Sequence, residues 1–221
     1  MVVAELINYT IPTLKPTDTV EKAIEMMELA NVKQLILTED NIYRGMISLE
    51  LLEYQDDEQT LLMDLIPEYE NIFVKLNQHP FELIGIFQQS DTEIIAVVDN
   101  DFAFKGSIAK IDVLNSLSNQ LAANELGAIL EIKIKDLDYS LAEIARLVES
   151  NGTKVLSSLL NKSDSEERDN ILTLKLNKQD ISHTIATLER FGYEILATFA
   201  SEPIKSVEKE RYDMLIKYLE I

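Results

Sequence analysis

Two stretches carry the reading of this chain: GMISLELL at residues 45–52 and GSIAKIDVL at residues 106–114. Each opens on a glycine, runs through apolar residues, and passes into a segment with helical spacing. Placing Gly45 on Gly106, an offset of 61 (106 minus 45), lays Val20 on Phe81, Ile24 on Gly85, Leu37 on Val98, Ile47 on Ile108 and Leu52 on Val113 without gaps. Self-similarity at a fixed offset marks a duplicated unit.

Upstream of each stretch the same elements recur, so each copy reads β-α-β-β-α. In the first copy Asp18 and Glu21 have capping-box spacing, and Val20, Ala23, Ile24 and Met27 form one apolar stripe of a helix. KQLILT (33–38) is then a buried strand, Glu39-Asp40-Asn41 a turn, and IYRGMIS (42–48) a second strand. In the second copy His79 stands at the helix start as a cap or surface residue, Pro80 takes the first helical position, and Phe81, Ile84 and Phe87 line the buried side. EIIAVV (93–98), the turn 99–101 and FAFKGSIA (102–109) follow. Residues 54–71 form an acidic linker holding QDDEQ and an apolar LLMDLI. One copy is too small to bury both its faces; two copies stacked on each other can.

The duplicated unit resembles the CBS domain, which works in pairs called Bateman modules, over residues 1–122 with repeats at about 1–55 and 62–122. The resemblance implies a cleft between the repeats that holds an adenosyl ligand, AMP or ATP first. In that pattern a Ser/Thr lies three residues after the glycine and an Asp six after it. Copy one has Ser48 but Leu51 at the Asp position, with Glu50 one residue early; copy two has Asp112 but Ala109 at the hydroxyl position. Gly45, Ser48, Gly106 and Asp112 are therefore the candidate ligand residues. Ser48 and Asp112 read equally well as residues that cap or flank the following helices.

From Gly127 the pattern changes. AILEIKIK (128–135) alternates, with Leu130, Ile132 and Ile134 on one face. A helix carrying Leu141, Ile144, Ala145 and Val148 ends at Asn151-Gly152, and TKVLSSLL (153–160) and ILTLKL (171–176) flank a polar loop. A second helix with Ile181, Ile185 and Leu188 stops at Phe191-Gly192, and YEILATF (193–199) is the last strand. The order βαββαβ predicts a ferredoxin-like layer over residues 127–200 and an α+β chain overall. The segment 135–157 resembles ACT domains, which often bind amino acids at a dimer interface. That resemblance assigns Asp136, Tyr139, Ser140 and Leu141 to a ligand site. Tyr139 stands where the family has glycine, which favours a packing or dimerisation module instead. Residues 201–221 form a helical tail with Tyr212, Leu215, Ile216 and Leu219 on one side. The domain order is similar to that of the acetoin utilisation protein family, whose architecture is regarded as regulatory.

Composition narrows the function. The net charge is −19, from 39 acidic and 20 basic side chains, a field that repels phosphate backbones and anionic lipid. Nucleic acid and membrane surfaces are thus poor partners. There are no cysteines, which removes disulfides, thiolate nucleophiles and cysteine metal clusters and fits a reducing cytoplasm. No apolar run is long enough for a membrane span, and MVVAELINY is not a secretory signal. The two histidines, His79 and His183, have no second ligand at metal spacing, and Asp164, Glu166, Glu167 and Asp169 lack the pattern of a calcium loop. The expectation is a non-enzymatic, cytoplasmic, homodimeric regulator that senses a small molecule, needing neither metal nor cofactor. The alternative is a constitutive scaffold whose ligand sites have decayed.

Overall fold

The computed structural model describes residues 2–68, 71–135, 140–162 and 169–200, and the chain divides into two compact units, Met1–Ser116 and Leu117–Ile221. The expected tail, residues 201–221, lies outside the described residues.

In the first unit the duplication is physical. Repeat one comprises β1 (Thr13–Leu14), α1 (Val20–Ala30), β2 (Gln34–Glu39), β3 (Ile42–Ser48) and α2 (Leu49–Glu53). Repeat two comprises β4 (Phe73–Lys75), α3 (Pro80–Gln89), β5 (Ile94–Val98), β6 (Phe104–Ala109) and α4 (Lys110–Gln120). Each forms a three-stranded sheet, β1-β2-β3 and β4-β5-β6, whose first pair is parallel and second antiparallel.

Period-two alternation decides what each central strand faces. Leu35 and Leu37 of β2 pack with Val20, Ala23 and Met27 of α1, and Ile95 and Val97 of β5 pack with Leu83 and Phe87 of α3. The opposite faces meet: Ile36, Tyr43 and Met46 join Ile94, Ala96 and Val98 in one cluster that includes Ile11, Phe73 and Ala109. Both central strands are therefore covered on both faces, which is why they read as unbroken apolar runs. Ile42 and Ala103, equivalent at the offset of 61 (103 minus 42), form an antiparallel bridge to each other. Tyr43 N–H donates to the Phe102 carbonyl at 3.0 Å and Phe104 N–H to the Asn41 carbonyl at 2.8 Å. A pseudo-twofold axis passes through that bridge.

The repeats are not gap-free. Leu37 pairs with Gly45, and Val97, not Val98, pairs with Gly106. The offset is therefore 60 through the helix and central strand (97 minus 37), and the β5–β6 turn holds one extra residue. Val20 corresponds to Pro80, Ile24 to Ile84 and Leu37 to Val97. This moves the expected stripe of the second helix by one position: Pro80, Leu83 and Phe87 are buried, whereas Phe81 is 51% and Ile84 39% exposed. The first helix is capped by Thr19, which accepts from Lys22 N–H at 3.3 Å, and not by Asp18. Asp18 instead accepts from Lys15 N–H and pairs with Lys22 Nζ at 2.6 Å. The capping box belongs to α3: His79 Nδ1 accepts from Phe81 N–H, and Glu82 Oε1 accepts from His79 N–H at 2.8 Å. That bond, with one from Gln78, holds the Glu82 carboxyl below its ordinary range.

The segments leading into the repeats are exchanged. Val3 lies in the core of repeat two, while Leu62 and Leu65 of the linker lie in the core of repeat one. The backbone bonds match, Val3 N–H to Gln78 O and Leu62 N–H to Asp18 O.

The second unit holds β7 (Ile129–Lys135), α5 (Leu141–Ser150), β8 (Val155–Asn161), β9 (Asp169–Leu176), α6 (Ser182–Arg190) and β10 (Glu194–Phe199). The sheet order is β10-β7-β9-β8, with every neighbour antiparallel. Leu130, Ile132, Ile134, Leu172, Leu174 and Leu176 pack beneath Ile144, Leu147, Val148 and Leu188. Leu147 takes the buried place that the spacing gave to Leu141, which is 37% exposed in the first turn. Gly127 admits no side chain, because its Cβ would overlap the Leu176 carbonyl.

Two glycines give opposite expectations. A Cβ at Gly106, where φ is +140°, would overlap Ile7 Cγ2, whereas one at Gly85 in α3 meets nothing within 4 Å. Gly106→Ala should cost about 1–3 kcal/mol, and Gly85→Ala should stabilise by about 0.5–1 kcal/mol. Urea denaturation of both variants checks the pair; equal effects would contradict the packing described.

Candidate functional site

Two adjoining cavities lie between the repeats of the first unit and share Ile11. The first, about 440 Å³, is walled by Ile11 and Val32 of repeat one and by Glu93, Ile94, Ala109, Lys110, Ile111 and Leu114 of repeat two. Six of these eight side chains are apolar, and Glu93 and Lys110 stand exposed at the rim. The second, about 390 Å³, is lined by Asn8, Tyr9, Ile11, Pro12, Thr13, Asn41, Phe104, Lys105 and Gly106. Its wall carries one ion pair, Lys105 to Asp99 at 2.8 Å. Lys105 first, then the N–H groups of Ala103 and Asp101, lower the Asp99 carboxyl below its ordinary range despite some desolvation.

The four expected ligand residues separate. Gly106 lines the second cavity and Ala109, the position lacking its hydroxyl, lines the first. Gly45 is buried in β3 opposite Leu37, and Ser48 ends that strand; neither lines a cavity named here. Ser48 Oγ accepts from Leu51 N–H at 3.3 Å and is the N-cap of α2. Asp112, in the first turn of α4, accepts from Ala109 N–H at 3.3 Å and from Asn8 Nδ2 at 3.5 Å.

These bonds explain the half motifs in one stroke. A hydroxyl at the N-cap and a carboxylate three residues later form a reciprocal capping box, in which each accepts the other's backbone N–H. Repeat one keeps the N-cap half, Ser48, and repeat two keeps the carboxylate half, Asp112. Both residues bond to the backbone at a helix start.

Sequence reasoning missed Asn8, Ile11, Val32, Glu93, Lys110 and Leu114. The first three lie in segments with no motif, and their role arises only when the two repeats close on each other. Leu114 carried a weak signal: it follows the Asp112 position on a helix whose buried side is Val113 and Ser116, so it faces away from the core and is 58% exposed.

In the second unit a polar cavity of about 450 Å³ is lined by Lys133, Ile134, Lys135, Glu143, Phe191, Gly192, Tyr193 and Glu194. Tyr193 Oη donates to Glu143 at 3.1 Å, and Lys133 pairs with Asp169 at 2.7 Å. Of the residues expected to bind a ligand here, Asp136 and Tyr139 lie outside the described residues. Ser140 is the N-cap of α5, accepting from Glu143 N–H at 3.3 Å, and Leu141 is exposed at its first position. Asp164, Glu166 and Glu167 also lie outside the described residues, and His183 is exposed on α6. Among the described residues no group of three or more His, Asp or Glu is placed to hold a metal ion, and no helix is long and apolar enough to cross a membrane.

Residues 3–52 match the family model of the CBS domain. Among solved structures, the chain is similar to a CBS domain pair/ACT domain protein from Thermotoga maritima, at 20% identity and a TM-score of 0.50, over 55% of this chain and 99% of that one. It is also similar to the CBS domains of a transcriptional regulator from Streptococcus pneumoniae, at 15% identity and a TM-score of 0.47, over 52% of this chain and 98% of that one. The chain is thus mixed α+β with a CBS-like fold, and the CBS domain pair is supported by the family match and the fold together.

Two substitutions test the capping account. Ala109→Ser completes the box with Asp112 and should stabilise the first unit by about 0.5–1 kcal/mol, while Ser48→Ala should destabilise it by about 1 kcal/mol. Thermal melts of both, referenced to the parent chain, decide; a destabilising Ala109→Ser would refute the box.

Proposed function

We propose that the first unit is a regulatory module that binds a small metabolite between its repeats, with an adenine nucleotide as the ligand of choice. One observation supports this most: a cavity of about 440 Å³ whose apolar wall comes from both repeats and whose rim carries Lys110. That volume suits a small-molecule site, and apolar walls with few polar groups suit a flat base. The cation at the rim offsets, for a phosphate, part of the repulsion from a net charge of −19. A ligand held by both repeats would favour one arrangement of the pair over another and so shift its population; this is regulation without catalysis.

The second unit's βαββαβ order and β10-β7-β9-β8 sheet support a ferredoxin-like, ACT-like reading. In this proposal that unit contributes self-association, giving a homodimer. The resemblance of the domain order to the acetoin utilisation family extends the proposal to acetoin metabolism.

A second reading has its own support. Ser48 and Asp112 are both engaged in helix capping, as expected of a constitutive scaffold that no longer binds ligand.

Calorimetric titration with AMP and ATP separates the two. The sensor reading expects heat with one of them, and a loss of affinity of at least about tenfold in Leu114→Glu, which puts a carboxylate into the apolar wall that holds the base. Leu114 is exposed, so folding should persist in that variant. Silence for both nucleotides at millimolar concentration leaves the scaffold, and unchanged affinity in Leu114→Glu moves the ligand out of this cavity.

A further inference from the structure

We propose that two copies of this chain pair antiparallel through the free edge of β8; this rests on the homodimer reading above and names its surface. In the order β10-β7-β9-β8 the strand β8 is terminal, and among the described residues nothing pairs with its outer side. Such an edge presents a row of backbone N–H and C=O groups that templates another strand, and natural sheets blunt it with charges, proline, bulges or short length. β8 spans seven residues, VLSSLLN, with no charge and no proline. Charged residues make up 27% of the chain, so seven surface positions would ordinarily hold about two. Its one irregularity lies at the start, between Val155 and Ser157, and residues 157–161 run in unbroken register against β9.

The other strand edges among the described residues are guarded. β1 and β4 are two and three residues long. β3 is bridged to Ala103 and β6 to Asn8. β10 carries Glu194 and shifts register between Ile195 and Ala197. On β8, by contrast, Leu156, Leu159 and Leu160 are 37%, 46% and 37% exposed. The register puts Leu159, opposite Thr173, on the face away from the helices, and Leu160, opposite Leu172, on the helix side. Apolar groups thus flank the edge on both faces, where an added strand would cover them.

A second copy is the occupant these features fit. Two identical strands meet antiparallel about a twofold axis, so each residue faces one from its own strand. Because β8 is neutral, self-pairing sets no like charges opposite each other within the strand. Lys154 and Lys162 lie outside it, one at each end. Seven residues a side fall below the roughly 20–30 of a stable interface. The pair is therefore reversible, with a dissociation constant of about 1–100 µM.

Sedimentation equilibrium of the full chain in about 0.15 M salt, which screens the net charge of −19 beyond roughly 8 Å, measures it. The parent should be dimeric at about 100 µM and dissociate on dilution. Leu159→Lys and Leu160→Lys, which set a charge on the edge, should each weaken association at least about tenfold. Leu196→Lys, at a 43% exposed position of β10, should leave it unchanged. In the parent, the β8 amides should exchange more slowly as protein concentration rises. If the β8 variants fail to fold, this exchange measurement decides. A dimer with unchanged affinity in both β8 variants, or one weakened equally by Leu196→Lys, overturns the edge pairing and leaves the homodimer reading standing. A parent that stays monomeric at about 100 µM overturns both.

Discussion

The contact between the inner faces of the two three-stranded sheets is the constraint from which the first unit follows. Ile36 of β2 and Ala96 of β5 are both fully buried, in a cluster drawn from both repeats. A three-stranded sheet with helices on one side leaves its other face in water, and each large apolar side chain so exposed forgoes about 1.5–3 kcal/mol. Neither repeat can therefore persist alone as drawn. The exchanged segments make the dependence mutual, since Val3 completes one core and the linker leucines complete the other. Two cavities remain between the repeats, and Ile11 lines both.

Near-symmetry of backbone with asymmetry of side chains defines the chemistry. Ser48 and Ala109 occupy equivalent helix starts, as do Leu51 and Asp112, and each start retains one polar capping group. The carboxylate survives on the side where the N-terminal segment crosses, and there it acquires Asn8 as a partner. Asp112 therefore caps its helix without a hydroxyl at position 109 to complete the box.

Much of this was legible in the residues because burial imposes periodicity. The alternation of Leu130, Ile132 and Ile134 and the unbroken run at 94–98 follow from one covered face and two covered faces respectively. The phase of the α3 helix was lost for a local reason: one extra residue in the β5–β6 turn shifts every upstream equivalence, and only the strand register reveals where it sits. Phe81 then passed for core although it points to solvent. Capping at Asp18 misled because Thr19, one residue later, offers the same oxygen chemistry with the backbone better placed. Of the residues that line the cavities, Gly106 stands in a recognisable spacing, whereas Ile11 and Val32 reach them only through the fold, and no local pattern announces residues that act across a pseudo-twofold axis.

Native-state hydrogen exchange tests the central claim most directly, by comparing the amides of β2 with those of β5. If the inner faces hold the pair together, both strands open in the same global event, with equal free energies and an equal response to denaturant. Exchange of one central strand at a clearly lower free energy, while the other stays protected, would show that each repeat stands by itself and would contradict the account.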